Sequence, residues 1–388
     1  LAVLFLTTGI AAATDFSMSG SYYVRGQFYD NAGGTGTPAA PAEAYGNYDH
    51  QMLIDTTWKM DDATMVFARF DIRDQTWATE GTTSESTNNT LPDSNIAVER
   101  VWGSHTFGNG GRLFTGLMSG GAFGTSFGDA EYDAYRVKYS QPTSMGTLLL
   151  IVQKTVEGGA STNADDDAVD EDGYMAGLLT KFGDINVQGL LVYVDYEIVD
   201  GSVTKFHLAL DGPLGDALSF DGEFQYHTYD DHATNDDADI WGIYGQVSYV
   251  SGPATFSVLG AYGSYDDDDD AGFSFGDDFE AGGAMIMGDD MELVGADLGA
   301  GALGAFKVSY AVNDQLTLSG YLGYWAGSSE TGQAYDDADV YEISGQGAYA
   351  ITANLVYSFG IGYAELDDYN STDPDEAINA YHKLSFSF

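Results

Sequence analysis

The sequence predicts an all-β chain: a transmembrane antiparallel up-and-down β-barrel of about 18 strands, with about 16 as the fallback, short turns at one end and long acidic loops at the other. Three observations predict it. Apolar and polar residues alternate over stretch after stretch, the period of a strand with one greasy and one wet face. The connections between these stretches alternate short and long. The longest apolar run, Leu148 to Val152, falls far short of the ~20 residues a membrane helix needs. A chain that crosses lipid without such helices must close its sheet, because lipid satisfies no backbone group.

The first strand, 16–29, sets Phe16, Met18, Tyr22, Val24 and Phe28 against Ser17, Ser19, Ser21, Arg25 and Gln27. In 218–229, Leu218, Phe220, Phe224 and Tyr226 oppose Ser219, Asp221, Glu223, Gln225 and His227. In 240–249, Trp241, Ile243, Val247 and Tyr249 oppose Gly242, Tyr244, Gln246 and Ser248. Stretches 315–324 and 355–364 repeat the pattern, with Leu316, Leu318, Leu322 and Tyr324, then Leu355, Tyr357, Phe359, Ile361 and Tyr363, on their greasy faces. The pattern is weakest near 112–118 and 303–312. The last strand, AINAYHKLSFSF, sets Ile378, Ala380, Leu384, Phe386 and Phe388 against Asn379, Tyr381, Lys383, Ser385 and Ser387, and His382 interrupts its apolar face.

Short connections include Met60-Asp61-Asp62, Gly183-Asp184, Gly212 to Asp216, Ser251-Gly252-Pro253 and Asn313-Asp314. Long ones cover 30–47, 76–95, 118–132, 156–172, 230–239, 266–302, 327–338 and 367–376, and 197–201 is short where a long one is expected. An even strand count puts both ends of the chain on the short-turn side.

Acids outnumber bases 60 to 13, a net charge of −47, which excludes ordinary nucleic-acid binding. Without Cys there is no disulfide framework and no thiolate metal site. Residues 1–13, LAVLFLTTGIAAA, read as a signal-peptide remnant, with an apolar core and small residues for cleavage, which leaves 14–388 as the barrel domain. Acid concentrates in the long loops, in the runs Asp165–Asp172 and Asp266–Asp270. The bland reading is a solvated rim. The sharper one is a divalent-cation site, with Asp266, Asp268 and Asp270 as weak candidates, although neither run has the sixth-position Gly of a calcium loop.

Nothing suggests catalysis, and no cofactor is called for. His50, His105, His207, His227, His232 and His382 are scattered without metal-ligand spacing, and there is no G-x-S-x-G elbow or P-loop.

Taken together, the leader-like start, the alternating barrel, the terminal Phe and the aromatics near strand ends (Tyr139, Tyr193, Tyr249, Tyr310 and Tyr363) resemble a Gram-negative outer-membrane porin over the whole mature chain. The resemblance implies an integral outer-membrane location, contact with lipid and lipopolysaccharide, and a homotrimer. It also makes Phe386 and Phe388 part of an assembly signal. Function follows as a water-filled channel for passive diffusion of small hydrophilic solutes and ions, cation-preferring because of its acids. The alternatives are a substrate-specific channel and a structural or adhesion barrel without an open lumen.

In such porins the third long loop folds inward and narrows the pore. Here that loop is MSGGAFGTSFGDAEYD, Met118 to Asp133, with Asp129, Glu131 and Asp133. Bases fall on the wet face of nearby strands: Arg25, Arg69, Arg73, Arg136 and Lys138, with Arg100 added although its face is ambiguous. Charge facing lipid is costly, so these groups belong in the lumen. The resemblance makes them a constriction in which loop acids face a wall of arginines across a transverse field. The alternative is that the arginines pair with lumen acids such as Asp55 and Asp71.

Overall fold

Each alternating stretch becomes one strand of the wall. The structure, a computed structural model, describes residues 15–30, 45–77, 96–120, 123–128, 132–156, 171–196, 201–230, 237–266, 271–276, 279, 281, 283, 300–328, 338–367 and 376–388. The strands are β1 (Asp15–Asp30), β2 (Tyr45–Lys59), β3 (Thr64–Thr76), β4 (Ala97–Thr106), β5 (Arg112–Ser119), β6 (Asp133–Thr143), β7 (Gly146–Val156), β8 (Glu171–Phe182) and β9 (Ile185–Tyr196). They continue as β10 (Gly201–Pro213), β11 (Leu218–Asp230), β12 (Asp239–Ser251) and β13 (Ala254–Gly263). A small hairpin, β14 (Tyr265–Asp266) with β15 (Ala271–Gly272), precedes β16 (Gly301–Ala311), β17 (Leu316–Gly327), β18 (Asp339–Thr352), β19 (Leu355–Asp367) and β20 (Glu376–Ser387). Apart from the hairpin, every strand pairs antiparallel with its neighbours in sequence, and β20 returns to β1, so 18 strands form a closed barrel. The two weakly patterned strands, β5 and β16, are both present.

The barrel is apolar on its outside. Ile343, Ile361, Val258 and Leu322 are among the most exposed side chains, because they face lipid. Aromatic residues mark both edges of this band. Tyr226, Trp241 and Tyr262 lie side by side near the long-loop end, and Tyr249 and Tyr310 lie near the short-turn end. From Trp241 to Tyr249 the strand runs about 26 Å, comparable to an outer-membrane apolar band. The short turns are tight: Gly183 (φ 62°) and Gly252 (φ 59°) adopt the left-handed conformation that two-residue hairpins require.

Closure depends on the chain's last residues. Phe388 N donates to Gly20 O at 3.0 Å and Gly20 N to Phe388 O at 2.9 Å. A Cβ on Gly20 would lie 2.6 Å from the Phe388 ring, so this outward glycine makes room for the terminal aromatic. Tyr22 packs on Phe386 at 5.8 Å between ring centroids. His382 does face outward, and the Tyr48 hydroxyl bonds its Nε2 at 3.2 Å, so its polar edge is satisfied on the lipid side.

The lumen departs from the sequence reading. The sequence predicts an external acidic loop over 266–302, yet its described residues 271–276, 279, 281 and 283 lie inside the barrel. Phe273, Phe275, Phe279 and Ala281 are buried with Phe127, Leu259, Leu303, Trp325, Val340 and Leu366 in one apolar cluster. The inner faces that receive it are small. A side chain on Gly242 would occupy the Phe273 ring. The reason is physical: three phenylalanines in a water-exposed loop would find no apolar partner, while a lumen wall of Gly and Ala offers one.

Candidate functional site

The described residues 123–128 of the third long connection, between β5 and β6, lie inside the lumen against β11. They carry a single 3-10 turn at Ser126–Gly128. There the Thr125 backbone N and hydroxyl donate to Glu223 Oε2 on β11 at 2.6 and 2.8 Å. Gly124 (φ 86°) passes so close that a Cβ would sit 2.5 Å from the same carboxylate oxygen. Phe127 completes the anchor: it is fully buried, lies 5.3 to 5.7 Å from the rings of Phe273, Phe275, Phe279 and Tyr244, and accepts Gly276 N–H at 2.8 Å through its carbonyl. The expected inward loop is therefore present. It is held by one carboxylate on the opposite wall and by the second inward segment.

These two segments divide the lumen. On β12, β13 and β16 to β19 the inner-facing residues of the long-loop half are buried. The ion-paired residues of β1 to β4, Arg25, Asp49, Asp55, Arg69, Glu99 and Arg100, keep 12 to 28% of their side-chain surface. The half-exposed charged side chains therefore lie on one side of the lumen, along β1 to β4.

That wall is a chain of ion pairs. Arg25 donates twice to Asp49, Nε to Oδ1 at 3.2 Å and Nη2 to Oδ2 at 2.6 Å. Arg69 Nε donates to Asp55 Oδ1 at 2.8 Å, and its guanidinium lies 3.7 Å from Glu99. Arg100 reaches Glu99 at 3.2 Å and donates from Nε to Asp133 Oδ1 at 2.7 Å. The face of Arg100 is settled by a register shift: Arg69 pairs with Arg100 but Phe70 pairs with Val98, leaving Glu99 unpaired in the ladder. Such a bulge lets Glu99 and Arg100 both point inward.

Three bases differ from these. Arg136 Nε donates to Gln153 Oε1 at 2.6 Å, and Nη1 and Nη2 bind the Ser119 and Gly120 carbonyls and the Tyr132 hydroxyl, which fixes the base of the third connection. Lys138 lies 5.6 Å from the Phe114 ring. Arg112, which the sequence analysis does not single out, stacks on Phe114 at 4.4 Å and donates to Ser104, and its Nε has no partner among the described residues. Among the described residues none of the three has an acid within ion-pair distance. The same wall carries carboxylates with no base within ion-pair distance among the described residues, although the charge of Arg25 reaches Asp74. Asp71 is bonded to Gln51, and Asp74 lies exposed near Asp71 and Asp49.

Asp129, Glu131, Asp268, Asp270 and the side chain of Arg73 lie outside the described residues. Asp266 Oδ2 accepts Asp239 N–H at 3.3 Å, and among the described residues no three His, Asp or Glu groups close around an ion.

A family model described as Gram-negative porin matches residues 1–285. No curated protein matches the chain. Among solved structures, Pseudomonas aeruginosa OccK8 (OprE) is similar over 97% of this chain and 99% of its own, with a TM-score of 0.62 and 10% identity. P. aeruginosa OpdK, solved with vanillate, covers 96% of this chain and 98% of its own at a TM-score of 0.61 and 11% identity. A BenF-like porin from Pseudomonas fluorescens Pf-5 covers 96% and 99% at 0.61 and 12%. At such identities the likeness is one of fold.

Proposed function

Because the chain belongs to the Gram-negative porin family and so is an integral outer-membrane channel, we propose that it passes small hydrophilic solutes and ions by passive diffusion along an off-axis crescent. The crescent runs between the third connection and the wall of β1 to β6 and β20. The observation that carries this reading is the contrast between the two halves of the lumen, one filled by apolar side chains and the other lined by half-exposed charges. Arg25, Arg69 and Arg100 each pair with a carboxylate, while Asp71 and Asp74 form no ion pair among the described residues. With a chain charge of −47, that balance favours cations. Arg25, Arg69, Arg73, Arg100, Arg136, Lys138 and the acids Asp129, Glu131 and Asp133 form the constriction in this reading. A homotrimer, with one lipid-facing surface as interface, belongs to the same proposal.

A second reading is favoured by Arg112, Arg136 and Lys138, which lie in the lumen without an acid. They suit a channel specific for a negatively charged solute. OpdK, a barrel of like fold, was solved with vanillate. The reversal potential of the refolded protein in a KCl gradient separates the two. A cation-selective potential supports the first reading, an anion-selective one transfers the assignment to the second, and absence of openings from folded protein rejects both.

A further inference from the structure

On the wall across from the arginines, β10 and β11 bring together groups that the sequence scatters. Lys205 is directly opposed to His227, and His207 lies two positions deeper on the same inner face. The two imidazole rings are 5.7 Å apart. His207 is 9% exposed, yet neither of its ring nitrogens has a hydrogen-bond partner. Its nearest carboxylate oxygen, Glu223 Oε1, stands 3.9 Å from Nδ1, too far for a bond. Lys205 makes no hydrogen bond or ion pair among the described residues; the acid whose charge reaches it is Glu171, at the end of β8.

The polarity of the neighbouring network is fixed. Gln225 Nε2 donates to Glu223 Oε1 at 2.6 Å, so Gln225 Oε1 accepts from His227 Nε2 at 3.0 Å. His227 therefore carries a proton on Nε2 and has Nδ1 left over. Phe123 stands edge-on to His207 at 6.5 Å and Phe273 lies 5.3 Å from His227. Val192 and Val194 line the adjoining face of β9. The group sits on the long-loop side of the Glu223 anchor, since β11 runs outward from Glu223 to His227.

Buried polar groups are normally bonded, so an ammonium and an imidazole that are both unpaired among the described residues mark a place for a further partner. A metal cation is a poor candidate beside Lys205. An oxyanion matches the donors, and the valine and phenylalanine walls match an organic body. We propose that Lys205 and His207, with the His227 ring beside them, form an entry-side subsite that holds the carboxylate or phosphate group of a small solute before it enters the crescent. The subsite rests on the channel itself and not on its charge preference.

The test uses full-length protein in micelles with 15N-labelled histidine, titrated with benzoate and, separately, with inorganic phosphate. The His207 signal is assigned by its loss in His207→Gln. The expected result is that at least one anion shifts the His207 and His227 signals, with His50 and His105 unmoved. Lys205→Met weakens this binding by about tenfold, the loss of one charge-assisted contact, and Lys205→Arg keeps it. A response to benzoate alone identifies a carboxylate subsite; a response to phosphate alone identifies a phosphate subsite. Unmoved signals with both anions, or equal binding by Lys205→Met and the parent, overturn the proposal. Heat-modifiable electrophoretic mobility confirms that each variant is folded, and conductance of the same samples distinguishes a missing subsite from a missing channel.

Discussion

Individual side chains on the charged wall act in pairs, and that sets what their removal does. Arg25→Ala with Arg69→Ala leaves Asp49 and Asp55 without their bonded bases. The reversal potential in a salt gradient should move further toward cations; no movement would take both arginines out of the conducting path. Gly20 offers a test of closure. A side chain there meets the Phe388 ring, so Gly20→Val should destabilise the barrel by about 1–3 kcal/mol, read as a lower temperature for loss of the folded electrophoretic form. Single residues were the hardest scale to read in the sequence. Parity alone could not place Arg100, because a bulge at Glu99 breaks the alternation on which parity depends. His207 and His227 looked isolated because nothing local encodes the β10–β11 register that joins them.

Elements of the wall were legible because lipid on one side enforces a strict two-residue period. Even β5 and β16, the weakest, are in place. The two inward segments carry no period, and only one was foreseen. For 271–283 a signal was available in Phe273, Phe275 and Phe279, too apolar for a solvated loop, and in the Gly and Ala residues of the facing strands. Deleting Gly120 to Gly128 removes the inward segment and its anchor on Glu223, so single-channel conductance should rise; a level conductance would mean that this connection does not limit the pore. Phe279→Ala should cost about 3–5 kcal/mol through loss of a buried ring. Its channels should be noisier than those of the parent, and a quiet, unchanged trace would separate the apolar cluster from the conducting path.

Across the whole molecule, the barrel's width is spent on two different interiors. One side of the lumen holds a hydrophobic cluster of the kind found in soluble proteins, and the other carries a polar wall of ion pairs. An 18-stranded barrel without inward segments would enclose a wide aqueous path. In the proposed reading the path is displaced to the side of β1 to β6, next to the ion-pair chain. Because the chain has no Cys, one introduced thiol is the sole reactive site. The most direct measurement is the current through single-Cys channels as a cationic methanethiosulfonate is added. Gln51→Cys, on the polar wall, should lose current on modification, whereas Val340→Cys and Leu366→Cys, inside the apolar half, should not respond. Block at Val340 or Leu366 with none at Gln51 would place the water on the opposite side of the barrel and contradict the account.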